Sequence, residues 1–403
     1  MRLLLLTAGS RGDVDPFLAL AARAASEGHD VRIGVTREFV ARAGDAGLDV
    51  APLDGDYQAL VEAQGVSAIA AMRAFRSTVA PMMAGILRSA ATAALEHRPD
   101  VIVFHPKILS AELAAARLDV PAVIAAPVPV LTPTRAFPAP GVVGRDVGPL
   151  NRATYRATAA AGGMFGGVLK TLRSELGLPA KGGVHPPVRS LITVSPTLLA
   201  RPADWPATSV ITGQWRGPDE GGRPAATDPA LDAFLADGRV LYAGFGSMAK
   251  GDPVARTRTI VDAGRAAGYR VLLATGWGGL AADDLTGDDV LVRREVDHEA
   301  VLPRCAVAIH HGGAGTTHAV VRAGVPSIVV PFLADQPFWG RLLERAGASA
   351  GTIPAGRLTG ARLAAALDRL PDRGTVEILA ARVRVEDGTG VALRALEDVT
   401  DSR

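Results

Sequence analysis

Residues 306–323 read AVAIHHGGAGTTHAVVRA, and this stretch decides how the second half of the chain folds. It opens with a short apolar run, which is typical of a strand buried on both faces by helices. A turn with three glycines follows, and a helical pattern begins at Ala319. Glycines let the backbone approach a ligand closely, and the amides at a helix N-terminus attract anions. The stretch therefore predicts a strand, a turn and a helix that together hold a diphosphate.

The polar residues of this turn supply hydrogen-bond donors that would also stabilise the growing charge of a departing diphosphate. The predicted donor-binding residues of the turn are His310, His311, Gly312, Gly313, Ala314, Gly315 and Thr316. Two alternatives remain open: His310 could be satisfied within the core, or His310, His311 and His318 could bind zinc. Adjacent histidines at a strand end point apart, and no fourth ligand is near in sequence, so no metal is expected.

A second candidate site lies where the first predicted strand runs into the loop GSRGDVDP at residues 9–16. Asp15 is explained as a helix cap, with Pro16 as the first helical residue. Asp13 has no such explanation, and a carboxylate at the carboxyl end of a strand could remove a proton from an acceptor hydroxyl. Asp13 could instead order the helix N-terminus, or bind a metal together with Asp15. His105, at the end of a later predicted strand, is a reserve candidate for the base.

A third candidate segment, residues 331–340, reads PFLADQPFWG and again follows a predicted strand. Asp335 and Gln336 suit the hydroxyl groups of a sugar, because a carboxylate accepts hydrogen bonds and an amide both donates and accepts them. The alternative for Asp335 is to cap a helix that begins near Pro337.

Short apolar runs alternate with amphipathic helical patterns along the chain, which predicts α/β architecture with doubly wound parallel sheets. The pattern indicates a first domain at 1–200, a Gly-, Pro- and Asp-rich linker at 201–238, and a second domain at 239–385. Ligands of such sheets bind at the carboxyl ends of the strands, so two facing domains would enclose a cleft. The proline-rich segment 127–149 is predicted to be a long functional loop.

Taken together, these motifs resemble those of the GT-B fold family 1 glycosyltransferases, in particular bacterial natural-product enzymes of the vancomycin-group type and sterol glucosyltransferases. The resemblance rests on the segments SRGDVDP (10–16), GFGSM (244–248), HHGGAGT (310–316) and DQPFWG (335–340). It implies two Rossmann-like domains, the first binding the acceptor and the second a nucleotide-sugar. It also implies an inverting transfer without metal or cofactor, and a last helix, 386–403, that crosses back to the first domain.

By the same resemblance, Asp13 matches the catalytic base. Further donor-binding candidates are Arg11, Gly12, Ser247, Trp277 and Val296, and acceptor-binding candidates are Ser10, Met72, Phe75, Met82, His105, Pro129 and Phe332. The apolar side chains among the second set favour a small apolar aglycone such as a polyketide, peptide or lipid, although core packing explains them equally well. Where plant members carry a glutamate for the ribose hydroxyls, this chain has His318, which favours a dTDP-deoxysugar over UDP-glucose.

The overall composition limits which classes of partner and which compartment are expected. The chain has 43 basic and 41 acidic residues, scattered to a net charge of +2, so nucleic acid is not an expected partner. No membrane span is expected from the apolar runs, and Cys305 as the single cysteine fits a reducing cytoplasm. A monomer and a weak homodimer both remain open, as do two rival functions: a nucleotide-sugar epimerase of the same fold, and a non-catalytic partner protein.

Overall fold

The structure is a computed structural model that describes residues 1–55, 75–217, 228–246, 248, 251–276, 278–281 and 287–401, with backbone alone for residues 75, 76, 159 and 161. In this part of the chain, thirteen strands form two parallel sheets of seven and six strands. Apolar clusters cover both faces of each sheet. The predicted fold class, two doubly wound α/β domains, is confirmed.

The first sheet is apolar on both of its faces. Leu3 and Leu5 of the first strand lie in one core cluster, whereas Leu4 and Leu6 lie in another. All four side chains are fully buried, which explains why the apolar run does not alternate with polar residues. The strands are β1 (Arg2–Leu6), β2 (Asp30–Thr36), β3 (Asp49–Leu53), β4 (Val101–Phe104), β5 (Ala122–Ala126), β6 (Arg189–Ile192) and β7 (Ser209–Ile211), in the order β3-β2-β1-β4-β5-β6-β7.

The first helix begins earlier than predicted, and this difference places Asp13. The helices of this domain are α1 (Arg11–Ser26), α2 (Val40–Asp45), α3 (Ala80–His97), α4 (Ala111–Leu118), α5 (Asn151–Gly162) and α6 (Gly166–Glu175). Pro16 lies inside α1, because the main-chain N–H of Ser10 donates to Asp13 Oδ2 at 2.8 Å and closes an earlier first turn. Asp15 does not cap the helix and instead lies 3.2 Å from an arginine of α2. The prediction that Asp15 is the cap is therefore wrong.

One helical stretch of this domain, Ser77–His97, has the length and composition of a membrane span, with a mean hydropathy of 1.2. No such stretch was predicted from the apolar runs of the sequence. Met83 and Ile86 lie in the same core cluster as Leu4 and Leu6. The apolar composition is thus used in packing the domain, and the stretch is weak evidence for a membrane.

The second sheet repeats the architecture of the first. Its strands are β8 (Val240–Gly244), β9 (Arg270–Ala274), β10 (Val290–Arg293), β11 (Val307–His310), β12 (Ser327–Val329) and β13 (Ser349–Thr352), in the order β10-β9-β8-β11-β12-β13. Its helices are α7 (Pro229–Ala236), α8 (Pro253–Ala266), α9 (His298–Val301), α10 (Ala314–Arg322), α11 (Gln336–Arg345), α12 (Gly360–Leu367) and α13 (Arg373–Arg384). The two loops that carry the candidate donor residues follow β11 and β12, at the carboxyl ends of neighbouring strands.

The last helix, α14 (Gly388–Asp401), belongs spatially to the first domain. Its Leu393 and Leu396 are buried in the same cluster as Phe17 of α1. Just before the helix, Glu386 Oε1 accepts hydrogen bonds from the hydroxyls of Ser195 (2.7 Å) and Thr197 (2.6 Å). The chain therefore passes between the domains twice, once in each direction.

Three strands were not predicted, and all three lie at sheet edges. β3 contains Pro52, β13 consists of small residues, and β7 lies inside the predicted linker 201–238. An edge strand is covered less completely and needs no continuous apolar run, so it leaves a weak signal in the sequence. Because β7 completes the first sheet, the first domain extends to at least Ile211.

Aromatic side chains from both domains form one apolar cluster, here called the interdomain cluster. It combines Phe137, Tyr155 and Trp205 of the first domain with Phe338 and Trp339 of α11, all of them buried. Phe137 and Phe338 have ring centroids 5.3 Å apart. Phe137 lies in the predicted functional loop 127–149, so that loop packs against the helix that follows Asp335.

Candidate active site

The carboxylate of Asp13 receives hydrogen bonds from three surrounding residues. Its Oδ2 accepts from the main-chain N–H and hydroxyl of Ser10, at 2.8 and 2.9 Å, and from Lys107 Nζ at 2.8 Å. Its Oδ1 lies 3.2 Å from His105 Nε2. A side chain at Gly9 would collide with both Asp13 and Lys107, and Gly9 has a φ of 137°. Helix capping explains the contacts with Ser10, but not those with His105 and Lys107.

His105 acts on Asp13 as a donor. The main-chain N–H of Lys107 donates to His105 Nδ1 at 3.2 Å, so the proton of the neutral ring is on Nε2, the atom that faces Asp13. Burial lowers the pKa of His105, although the hydrogen bond to Asp13 raises it, and the ring is neutral at pH 7. With both nitrogens used, His105 orients the carboxylate and has no lone pair left for an acceptor proton.

Asp13 is held in its ionised form. Burial by itself raises its pKa, but the charge of Lys107 and the hydrogen bond from His105 outweigh burial and hold the pKa well below the usual range of an aspartate. The side chain is 19% exposed, so a ligand can still reach it. A carboxylate of this kind is always available to accept a proton, although it is a weaker base than an ordinary aspartate.

The turn after β11 is arranged to bind an anion. His310 is fully buried, and its Nδ1 accepts the main-chain N–H of Gly312 at 3.2 Å, which leaves the proton on Nε2. That Nε2 has no hydrogen-bond partner in the described part of the chain. Helix α10 follows with Gly313 at its N-cap and no side-chain cap, and Gly315 beside it is exposed. A buried N–H without a partner and an uncapped helix terminus fit a phosphate group.

The histidines of this turn are neutral. Burial lowers the pKa of His310 to about 3 and the pKa values of His311 and His318 to about 4. His318 donates from Nδ1 to the main-chain carbonyl of Ala314 at 2.7 Å and accepts the N–H of Ser195 at Nε2, at 3.1 Å. With both of its nitrogens used, His318 cannot serve as a zinc ligand in this arrangement.

Asp335 and Gln336 differ in what their side chains do. Asp335 occupies the N-cap position of α11 but makes no capping hydrogen bond, and its Oδ2 accepts the indole N–H of Trp339 at 2.7 Å. Gln336 Oε1 accepts the main-chain N–H of Phe332 at 2.7 Å and that of the next residue at 3.1 Å. The Gln336 side chain therefore stabilises its own loop, whereas Oδ1 of Asp335 takes no part in those hydrogen bonds.

The loops of the two domains face each other across a cleft. Burial raises the pKa of Asp335, the charge of Asp13 raises it further, and Lys107 lowers it, so these groups lie within electrostatic range of one another. Arg11 and Glu295 form a 3.1 Å ion pair between the domains. The predicted acid on the first domain and the predicted sugar loop on the second are thus brought within electrostatic range. The predicted phosphate turn lies beside the sugar loop, since a Cβ at Gly312 would lie 3.0 Å from the carbonyl oxygen of Gln336.

The other predicted residues fall into three groups. Gly12 and Thr316 lie in the first turns of α1 and α10, beside the cleft loops. Met82, Val296 and Phe332 pack against domain cores, and Pro129 is buried after β5. Met72, Ser247, Trp277 and the side chain of Phe75 lie outside the described residues.

Three residues of the site were not predicted from the sequence. Lys107 follows His105 by two positions, and only the fold brings its ammonium group to Asp13. Trp339 lies four residues after Asp335 on one helix, a spacing that places two side chains side by side and could have been used. Glu295 gave no signal, because its partner Arg11 is distant in sequence.

Comparison with known proteins identifies the family. Residues 3–128 match the glycosyltransferase family 28 N-terminal domain, and residues 286–391 match the C-terminal domain described as erythromycin biosynthesis protein CIII-like. The chain is 33% identical to the vancomycin aglycone glucosyltransferase of Amycolatopsis orientalis, over 99% of this chain and 97% of that protein. This chain is a GT-B glycosyltransferase of the natural-product and sterol group.

Two further likenesses place the glycosyltransferase among its relatives. It is 29% identical to a sterol 3-beta-glucosyltransferase of Arabidopsis thaliana, over 98% of this chain and 65% of that protein. The crystal structure of glycosyltransferase VinC in complex with dTDP has the same fold, with a TM-score of 0.70, 19% identity and full coverage of both chains. The predicted resemblance to both the vancomycin-type and the sterol branches is confirmed.

In the glycosyltransferase, Asp13 and Asp15 have different partners and are not arranged to bind one metal ion together. Asp13 contacts His105 and Lys107, whereas Asp15 contacts an arginine of α2. Within the described ranges, no group of three or more His, Cys, Asp or Glu side chains is arranged to hold a metal ion.

Proposed function

We propose that this glycosyltransferase moves a sugar from a nucleotide-diphosphate donor to a hydroxyl group of a small apolar natural-product aglycone. The transfer inverts the anomeric configuration and requires no metal. The observation that carries the proposal is the Asp13 carboxylate, held ionised by Lys107 and oriented by His105, opposite the Asp335 loop of the second domain.

In the proposed reaction, the acceptor hydroxyl binds Asp13 Oδ1, because Oδ2 already accepts three hydrogen bonds. The oxygen attacks the anomeric carbon while its proton passes to Oδ1, and the bond between that carbon and the phosphate oxygen breaks on the opposite face. The electron pair of that bond leaves with the diphosphate. The N–H of His310 Nε2 and the first amides of α10 stabilise the departing charge.

The nucleotide favoured by this site is dTDP, with UDP-glucose as the second candidate. His318 stands where a ribose-binding carboxylate would be expected, and its two nitrogens bond to Ala314 and Ser195. A donor whose nucleotide contains deoxyribose has no 2′-hydroxyl and therefore loses no hydrogen bond at such a position. The dTDP complex of VinC, a protein of the same fold, is consistent with this choice.

The acceptor class is proposed from the relatives. The name of the Amycolatopsis relative gives the vancomycin aglycone as its acceptor, and that of the Arabidopsis relative gives a sterol, so a sterol or other lipid is the second candidate. The cytoplasm is the proposed compartment, since the single cysteine, Cys305, is buried and unpaired.

The test combines a substrate screen with a matched pair of variants. TDP-glucose and UDP-glucose are incubated with a panel of aglycones, and products are detected by mass spectrometry. In Asp13→Asn we expect turnover to fall about 10²- to 10⁴-fold, with TDP binding retained. Asp15→Asn, two residues away and outside the proposed chemistry, should keep most of the activity.

Each alternative hypothesis predicts a different experimental result. Unchanged turnover in Asp13→Asn would remove this residue from the role of base. An altered nucleotide sugar released without any acceptor would indicate an epimerase. Failure of the wild-type protein to bind any nucleotide or nucleotide sugar in calorimetry would indicate a non-catalytic partner protein.

A further inference from the structure

The carboxylate of Asp335 is turned away from the helix that it precedes. An aspartate at an N-cap position ordinarily accepts a main-chain N–H from the first helical turn. Asp335 makes no such bond, and its Oδ2 accepts the indole N–H of Trp339 at 2.7 Å. The indole therefore replaces the helix end as the group that holds this carboxylate.

The indole is connected to the first domain through its neighbours. Trp339 is fully buried in the interdomain cluster, with ring centroids 5.2 Å from His318 and 5.4 Å from Phe338. Both neighbours contact the first domain: His318 accepts the main-chain N–H of Ser195, and Phe338 packs on Phe137. A shift of the first domain would thus be transmitted to the ring that orients Asp335.

The main chain before Asp335 is constrained from the same side. Ala334 has a φ of 55°, a left-handed conformation that alanine rarely adopts. Gly141, in the loop of the first domain, lies beside this segment, since an added Cβ would be in ordinary van der Waals contact with the carbonyl carbon of Ala334 at 3.4 Å. Arg341 of α11 also donates a hydrogen bond to the carbonyl of Gly144 in that loop.

From these contacts we infer that Trp339 is a positioning residue for the sugar subsite, through which the first domain controls how Asp335 binds the donor sugar. This inference rests on the proposed function. Trp339 does not touch the donor itself: its N–H occupies Oδ2 of Asp335 and leaves Oδ1 for the sugar hydroxyls. Without the indole N–H, the carboxylate can rotate to cap α11, which offsets part of the lost stability but removes it from the sugar.

The test separates the sugar from the nucleotide. Calorimetry compares Trp339→Phe with the wild-type enzyme, using free TDP and TDP-glucose, or UDP and UDP-glucose if the wild type prefers them. We expect affinity for the free nucleotide to stay within about twofold, and affinity for the nucleotide sugar to fall about tenfold, because one charge-assisted contact is lost. Trp205→Phe is the matched control: its buried indole belongs to the same cluster but donates to the main-chain carbonyl of Thr132.

A second variant tests the contribution of the first domain. Gly141→Ala strains the loop of the first domain, because Gly141 has a φ of 84°, and the loop that contacts Ala334 should shift. We expect weaker nucleotide-sugar binding with free nucleotide binding unchanged. Equal loss of both ligands in Trp339→Phe would reduce Trp339 to a structural role, and wild-type affinity for both would overturn the inference outright. If the wild-type enzyme binds neither ligand, the proposed function itself fails.

Discussion

Replacing Lys107 by methionine should change the acidity of Asp13 more than any other single substitution near it. The ammonium group lies 2.8 Å from Asp13 Oδ2, and its charge is the largest influence that lowers the pKa of Asp13. Methionine keeps most of the length and volume of the side chain and removes only the charge and the donors.

The size of the effect follows from the distance. Two unit charges at this separation attract by about 1.5 kcal/mol at the dielectric constant of water, and by about 6 kcal/mol at an effective value of about 20. The Lys107 side chain is 33% exposed, which favours the lower part of that range. About 1.5 to 3 kcal/mol corresponds to a rise of about one to two units in the pKa of Asp13.

The assay is carbon NMR of the protein labelled at its aspartate carboxyl groups, with the Asp13 signal assigned from Asp13→Asn. In the wild type, Asp13 should stay ionised down to the lowest pH at which the fold persists. In Lys107→Met the onset of its titration should move up by about one to two pH units, because burial still raises the pKa and the opposing charge of Lys107 is gone. Lys181→Met, at an exposed lysine of the same domain, is the control. If Asp13 titrates alike in Lys107→Met and the wild type, the electrostatic reasoning for this site is refuted.

Three further predictions concern the second domain. In Gly312→Ala, with a φ of 84° and a new Cβ 2.8 Å from Val329 Cγ1, we expect TDP binding to be lost in calorimetry and the melting temperature to drop; wild-type affinity would contradict the fit. Ala334→Gly should raise the free energy of unfolding by about 0.5 to 1 kcal/mol in urea titrations, since it relieves a left-handed alanine, and no gain would argue against strain there. His318 has a pKa of about 4 in the folded protein and about 6.5 in the unfolded chain, so between these pH values the unfolded chain binds more protons. The nucleotide-free protein should therefore lose stability as the pH falls from about 6.5 to about 4. Urea unfolding at several pH values checks this, and His318→Gln should show a shallower dependence on pH.

The central strands and the loops that follow them could be predicted from the sequence, because both depend on local patterns. A strand buried on two faces needs a continuous apolar run, as β1 has from Leu3 to Leu6 and β11 from Val307 to Ile309. A turn that admits a phosphate must be rich in glycine, as the turn at Gly312 is. Edge strands such as β13 lack a continuous apolar run, since a neighbouring strand covers them on only one side.

The details of the site depended on contacts that no local pattern contains. The start of α1 was recoverable, because serine at position 10 and aspartate at position 13 have the spacing of a capping box. The roles of His105 and Lys107 were not recoverable, because the position of each relative to Asp13 is set by the pairing of β1 with β4. The function of Trp339 likewise depends on the approach of the two domains.

The double passage of the chain between the domains limits how hybrid enzymes can be assembled. The core around Phe17 is completed by Leu396, so each parental first half is matched to its own final helix. A chimera joined at a single point near residue 212 would pack the final helix of one parent against the first-domain core of the other. Two junctions, the second placed before Glu386, would keep the matched pieces together, and exchange of donor specificity between relatives should require both.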